Sequence, residues 1–73
     1  MTSIHNTAYK QFLKKLKKAR IEARLTQREV AEALGLPQSF VSKSESGERR
    51  VDIVELAALA RLYKKQVNYF VGR

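Results

Sequence analysis

The chain has no cysteine, so neither a disulfide framework nor a thiolate metal site is open to it. Its single histidine, His5, lies in the first few residues, which leaves imidazole acid–base chemistry and histidine metal ligation without their usual residue. Glycine and proline are scarce, three and one in 73 residues. No stretch shows the alternating, turn-bounded pattern of strands, and no glycine-rich loop is present to cradle a phosphate. No apolar run approaches the ~18 residues of a membrane span, and the opening residues lack the pattern of a secretory signal. Acids are few as well, seven against fifteen lysines and arginines, a formal charge of +8. These shortages exclude a disulfide-stapled secreted domain, a membrane-spanning protein and a His- or Cys-based enzyme. They leave a cytoplasmic, all-α domain with no catalytic residue, metal or cofactor. A sequence pI of 10.2 points to a polyanion as its partner.

What is present is concentrated between Gln27 and Ser46, QREVAEALGLPQSFVSKSES. Val30, Ala31 and Leu34 fall on one stripe of a short helix. Gly35 follows at once, where a reversal with positive φ is cheap only for glycine. Pro37 then opens a second helix from its first turn, where a missing N–H costs nothing. Val41 points back to the preceding helix, and Ala31 is small where the two come close. Two helices crossing at roughly 90–120° through a tight turn form a helix-turn-helix, whose second helix fits the DNA major groove. The side chains leaving that helix outward are Gln38, Ser39, Phe40 and Lys43. Three of the four can hydrogen-bond a base edge or a phosphate, and the Phe40 ring can pack on a thymine methyl.

Residues 1–6 show no periodicity and read as a flexible N-terminal arm. An arm that touches DNA is the other reading, although it holds no lysine or arginine. Residues 7–73 form one domain, whose first helix Asn6 or Thr7 can cap. The apolar face of that helix is Tyr9, Phe12, Leu13, Leu16, Ala19 and Ala23. Its other faces carry Lys10, Lys14, Lys15, Lys17, Lys18 and Arg24, with Glu22 the only acid between residues 8 and 25. Those cations serve as solvated steering charge or as a flank along the DNA backbone. A membrane-surface role conflicts with the need for this apolar face in so small a core.

Thr26-Gln27-Arg28-Glu29 is a capping box that starts the second helix. It leaves Gln27 at a positive helix end, either to bind a phosphate oxygen or merely to begin the helix. The third helix is predicted from about Pro37 to Ser44 or Glu45, ending near Gly47. Beyond it, Arg49 and Arg50 can clamp a phosphate or pair locally with Glu48. Asp52-Ile53-Val54-Glu55 is a second capping box. It opens a fourth helix whose core residues are Leu56, Leu59, Ala60, Leu62 and Tyr63, with Lys64 and Lys65 in its last turn. A short fifth helix carries Val67, Phe70 and Val71 on one side and Tyr69 on the other.

Capping box, turn glycine and glutamine occur together at fixed spacing, and here the chain resembles the phage-repressor type of helix-turn-helix, the bacterial family related to the lambda and Cro repressors. The matching residues are Arg20, Leu25-Thr26-Gln27, Val30-Ala31, Leu34-Gly35, Gln38-Ser39, Val41-Ser42, Glu45-Ser46-Gly47, Arg49-Arg50 and Leu59-Ala60. The resemblance implies a five-helix, lambda-repressor-like DNA-binding domain in which helices two and three form the helix-turn-helix. It implies that Gln27 clamps a phosphate, that Ser42, Ser46, Arg49 and Arg50 join it on the backbone, and that Gln38 and Ser39 touch bases or adjacent phosphates. Phe40 and Lys43 fall at outward positions that set sequence choice. Arg20 and Glu45 correspond to a partly buried ion pair between helices one and three. Two residues depart from the family pattern. Pro37 replaces a capping Ser or Thr, and Ser44 stands where a large apolar residue is usual. Ser44 shares the inward face with Val41; Phe12, Tyr63 or Phe70 is expected to fill the space, with the Ser44 hydroxyl bonded to the Phe40 carbonyl.

Two functions follow as expectations. The first is a transcriptional regulator without enzymatic activity, binding a roughly palindromic site on double-stranded DNA as a homodimer. Its half-sites would lie about 34–36 Å apart or a multiple of that, with Gln38 on adenine N6/N7 and Lys43 on guanine O6/N7. It would act by occluding polymerase or contacting it, with no small-molecule ligand and no built-in sensing or autoproteolysis. The second is a protein-interaction module, antitoxin- or coactivator-like, that uses the same fold without reading bases. The outward polar residues of helix three argue against it.

Overall fold

The computed structural model describes residues 7–72, which form five helices: α1 (Thr7–Glu22), α2 (Gln27–Leu34), α3 (Gln38–Ser46), α4 (Ile53–Tyr63) and α5 (Val67–Val71). The expected arm at 1–6, with His5 and Asn6, lies outside the described residues, as does Arg73. Among the described residues there is no strand, and no helix is long and apolar enough to cross a membrane.

Local chemistry sets most helix ends. The Thr26 hydroxyl accepts from the Glu29 N–H at 3.0 Å while the Thr26 N–H donates to Glu29 Oε1 at 2.9 Å, a closed capping box at the start of α2. Gly35 ends α2 in the left-handed conformation, φ 70. Leu36 then donates to the Ala31 carbonyl at 2.9 Å, closing the reversal that aims α3. α3 starts one residue later than predicted. Pro37 is extended, φ −64 and ψ 151, and stands outside the helix with no side-chain cap, because its ring offers no acceptor. α3 runs on to Ser46 and stops at Gly47, φ 88. The backbone conformation calls for glycine; a Cβ there would lie 3.0 Å from Leu13 Cδ1, a side-chain tip that would have to give by a few tenths of an ångström.

Two other reversals use no glycine. Arg24 after α1 and Lys64 after α4 take positive φ, 63 and 60, so α4 ends at Tyr63 and Lys64 lies past its last turn. Every helix contributes to a single core: Phe12, Leu16 and Ala19; Val30 and Ala31; Phe40 and Val41; Leu56, Leu59, Ala60 and Tyr63; Phe70. Ser44 is buried too, and neither its hydroxyl nor that of Tyr63 has a hydrogen-bond partner. The expected Ser44 bond to the Phe40 carbonyl is therefore not made. Burial pushes the Tyr63 phenol up, with the charge of Glu45 adding to the shift. In α5 the faces differ from expectation. Tyr69 packs on the core edge-on to Phe70 at 5.0 Å, and Val71 is 63% exposed. A helix of little more than one turn has no stripe long enough to select its buried side, and Lys65 Nζ, 4.6 Å over the ring, holds Tyr69 there.

Candidate nucleic-acid interface

α2 and α3 pack against each other and carry most of the sequence-predicted residues. The capping box takes up the N–H groups of Thr26 and Glu29, so the backbone donors of Gln27 and Arg28 lie at the positive end of the α2 dipole. On α3, Gln38, Ser39, Ser42 and Lys43 are exposed, and Phe40, Val41 and Ser44 are buried. The exposed row is rich in donors and carries one cation.

Behind this row, one carboxylate gathers three elements. Arg20 Nε lies 2.6 Å from Glu45 Oε2 and its Nη2 3.2 Å from Oε1, while Nη1 donates to the Leu25 carbonyl at 2.8 Å. The paired side chains are only 11% and 6% exposed. The hydrogen bond to Glu45 raises the Arg20 pKa, opposed by desolvation and helped by the attraction of the carboxylate charge. Gln27 Nε2 donates to the same Glu45 Oε1 at 3.0 Å. Glu45 thus joins α1, the first residue of α2 and the last turn of α3.

Phe40 requires a correction. It is 7% exposed and belongs to the core, so its ring points inward and not, as expected, out toward a base. Phe40 stands one turn before Ser44 on the inward stripe, and the Arg49 guanidinium covers its ring at 4.7 Å from the centroid. Arg49 in turn pairs with Glu55 and not with Glu48: Nη1 to Oε1 at 2.8 Å and Nη2 to Oε2 at 2.7 Å, with a further bond from Nη1 to the Arg50 carbonyl at 3.0 Å. Glu55 also accepts from the Asp52 N–H at 3.0 Å, and Asp52 Oδ1 from the Glu55 N–H at 2.8 Å. The Arg49 hydrogen bond holds the Glu55 carboxyl below its usual range, with the Asp52 N–H assisting and desolvation opposing, and the same pairing raises Arg49.

Ser46, expected on a phosphate, donates instead to the Lys43 carbonyl at 3.1 Å and accepts from the Glu48 N–H at 3.3 Å. Three expected backbone contacts, Arg49, Ser46 and Gln27, therefore have partners inside the protein. Arg50 is exposed, with its guanidinium 5.0 Å over the Tyr9 ring. Sequence reasoning missed the second role of Glu55, the Leu25 carbonyl and the Tyr9 ring. The capping box marks Glu55 as a cap, but no periodicity links it to an arginine across a loop. Among the described residues no cluster of His, Cys, Asp or Glu could hold a metal ion.

Residues 16–70 match a family model described as helix-turn-helix. Among solved structures, an XRE-family like protein from Pseudomonas syringae pv. tomato str. DC3000 superposes with a TM-score of 0.83 at 43% identity, over 92% of this chain and 82% of that one. No curated protein matches the chain. Five helices with an exposed, donor-rich α3 set by a tight turn against α2 define a DNA-binding helix-turn-helix regulator. The chain belongs to the helix-turn-helix family, of the phage-repressor, lambda/Cro-like type.

Proposed function

We propose that the protein is a sequence-specific transcriptional regulator with no enzymatic activity, acting in the cytoplasm, which binds a roughly palindromic operator as a homodimer with one α3 in each half-site. The observation that carries this reading is the exposed row Gln38, Ser39, Ser42 and Lys43 on α3, beside Gln27 at the start of α2. Gln38 can pair with adenine N6/N7 and Lys43 can donate to guanine O6/N7, while Ser39 reaches a base or the adjacent phosphate. Gln27, Ser42 and Arg50 hold the sugar–phosphate backbone. Arg49 supports them from behind by fixing the loop to α4. A net charge of +8 draws the domain to DNA before any base is read.

Selection of bound sequences from a random duplex pool tests this. The expected result is a two-fold symmetric site, its halves about one or two helical turns apart, with Gln38→Ala relaxing choice at one base position. Recovery of no defined sequence would overturn the reading in favour of an adaptor that uses the fold without reading bases.

A further inference from the structure

The phosphate-facing glutamine is not an independent side chain. A carboxylate only accepts hydrogen bonds, so the 3.0 Å contact between Gln27 and Glu45 dictates which way the Gln27 amide is turned: Nε2 toward Glu45, Oε1 away. One amide hydrogen is consumed and one is left to donate. Glu45 is itself held by two bonds from Arg20, which a third bond ties to Leu25, two residues before Gln27. The acceptor that orients Gln27 is therefore 6% exposed and fixed on both oxygens.

We infer that Glu45 is a positioning residue for DNA binding, which presets the Gln27 amide with an N–H available to a phosphate oxygen. This rests on the reading of Gln27 as a phosphate contact in the proposed function. It gives the last turn of α3 a part in a backbone contact made at the start of α2, so that the two helices meet the duplex as one unit. The inference runs against simple electrostatics. A carboxylate beside a phosphate repels it, so removing that charge by itself should tighten binding. If positioning dominates, removing it weakens binding.

The two effects differ in sign, which Glu45→Gln separates. The selected duplex is titrated with wild type, E45Q, Q27A and the double variant, at a temperature where circular dichroism shows each to be folded. E45Q is expected to bind about three- to tenfold more weakly than wild type, the scale of one hydrogen bond. In the Q27A background the same change is expected to leave affinity unchanged or tighter. Equal weakening in both backgrounds, or tighter binding by E45Q alone, would overturn the inference while leaving the DNA-binding reading intact. Absence of defined-site binding by wild type would overturn both. Should E45Q fail to fold, wild type alone still decides by nuclear magnetic resonance. The Gln27 side-chain amide is expected to show one hydrogen shifted downfield and slow to exchange, and a pair averaged like a solvated amide would overturn the inference.

Discussion

The chain makes two arginine–glutamate pairs of matching chemistry in opposite surroundings. Arg20 and Glu45 meet at 2.6 Å with 11% and 6% of their side chains exposed; Arg49 and Glu55 meet at 2.7 Å with 41% and 23% exposed. Both use two N–H donors on two carboxylate oxygens. Their distances do not distinguish them, so the difference lies in what water can do when one partner is removed. At the inner pair, the survivor is left charged in a place water reaches poorly. At the outer pair, solvent takes over much of the lost partner's work, and the interaction is screened accordingly. The inner pair joins helices and holds Gln27; the outer one stiffens a loop and covers Phe40.

The largest effect expected from this contrast is that of Glu45→Ala. It strands Arg20 and frees Gln27, costing on the order of 3–5 kcal/mol in a domain whose whole stability is about 5 kcal/mol. Thermal melting followed by circular dichroism should show much of the population unfolded near physiological temperature. A melt within a degree or two of wild type would erase the distinction between the pairs.

Asp52→Ala comes next. Glu55 keeps Arg49 but α4 loses its side-chain cap, and a loss of about 1 kcal/mol is expected in chemical denaturation. A loss as large as that of Glu45→Ala would mean that the α4 end of the molecule is the more critical one.

A smaller effect sharpens the outer pair by pH. The Glu55 carboxyl is depressed in the folded state, first by its bond to Arg49, so its contribution to stability is present above the ordinary glutamate value and is lost as pH falls through the depressed one. Between about pH 5 and pH 3, wild type should lose melting temperature more steeply than Glu55→Gln. Parallel profiles would show that the pair adds nothing to acid stability.

The smallest expected difference is a null set against a loss. Arg50→Ala should reduce the slope of log K against log[salt] by about 0.9, the share of one phosphate contact. Arg49→Ala should leave the slope unchanged, because its guanidinium is committed to Glu55. Equal reductions would make Arg49 a phosphate contact despite that pairing.

Much of this molecule is legible in one dimension. Thr26 with Glu29 and Asp52 with Glu55 announce two helix starts, and Gly35 and Gly47 announce two helix ends, because caps and reversals involve residues at most a few positions apart. The stripe Phe12, Leu16, Ala19 is equally plain in a 16-residue helix. In α3, only nine residues long, Phe40 can be drawn on either edge of the buried face, and the sequence-based reading placed it outside. The left-handed turns at Arg24 and Lys64 carry no glycine to mark them. The roles of Arg49 and Ser46 depended on partners that only the folded loop supplies.

The sequence by itself determined the order of the helices, the capped starts of α2 and α4, the glycine ends of α2 and α3, the basic charge and the helix-turn-helix, since these rest on local hydrogen bonding, periodicity and composition. The tertiary structure decided which of the remaining polar side chains, Gln27, Ser46 and Arg49 among them, are bound inward. Glu45 reaches Gln27 across 18 residues of chain and Arg20 across 25. Neither spacing has a local signature, and the strength of each contact depends on how much water the surrounding helices exclude.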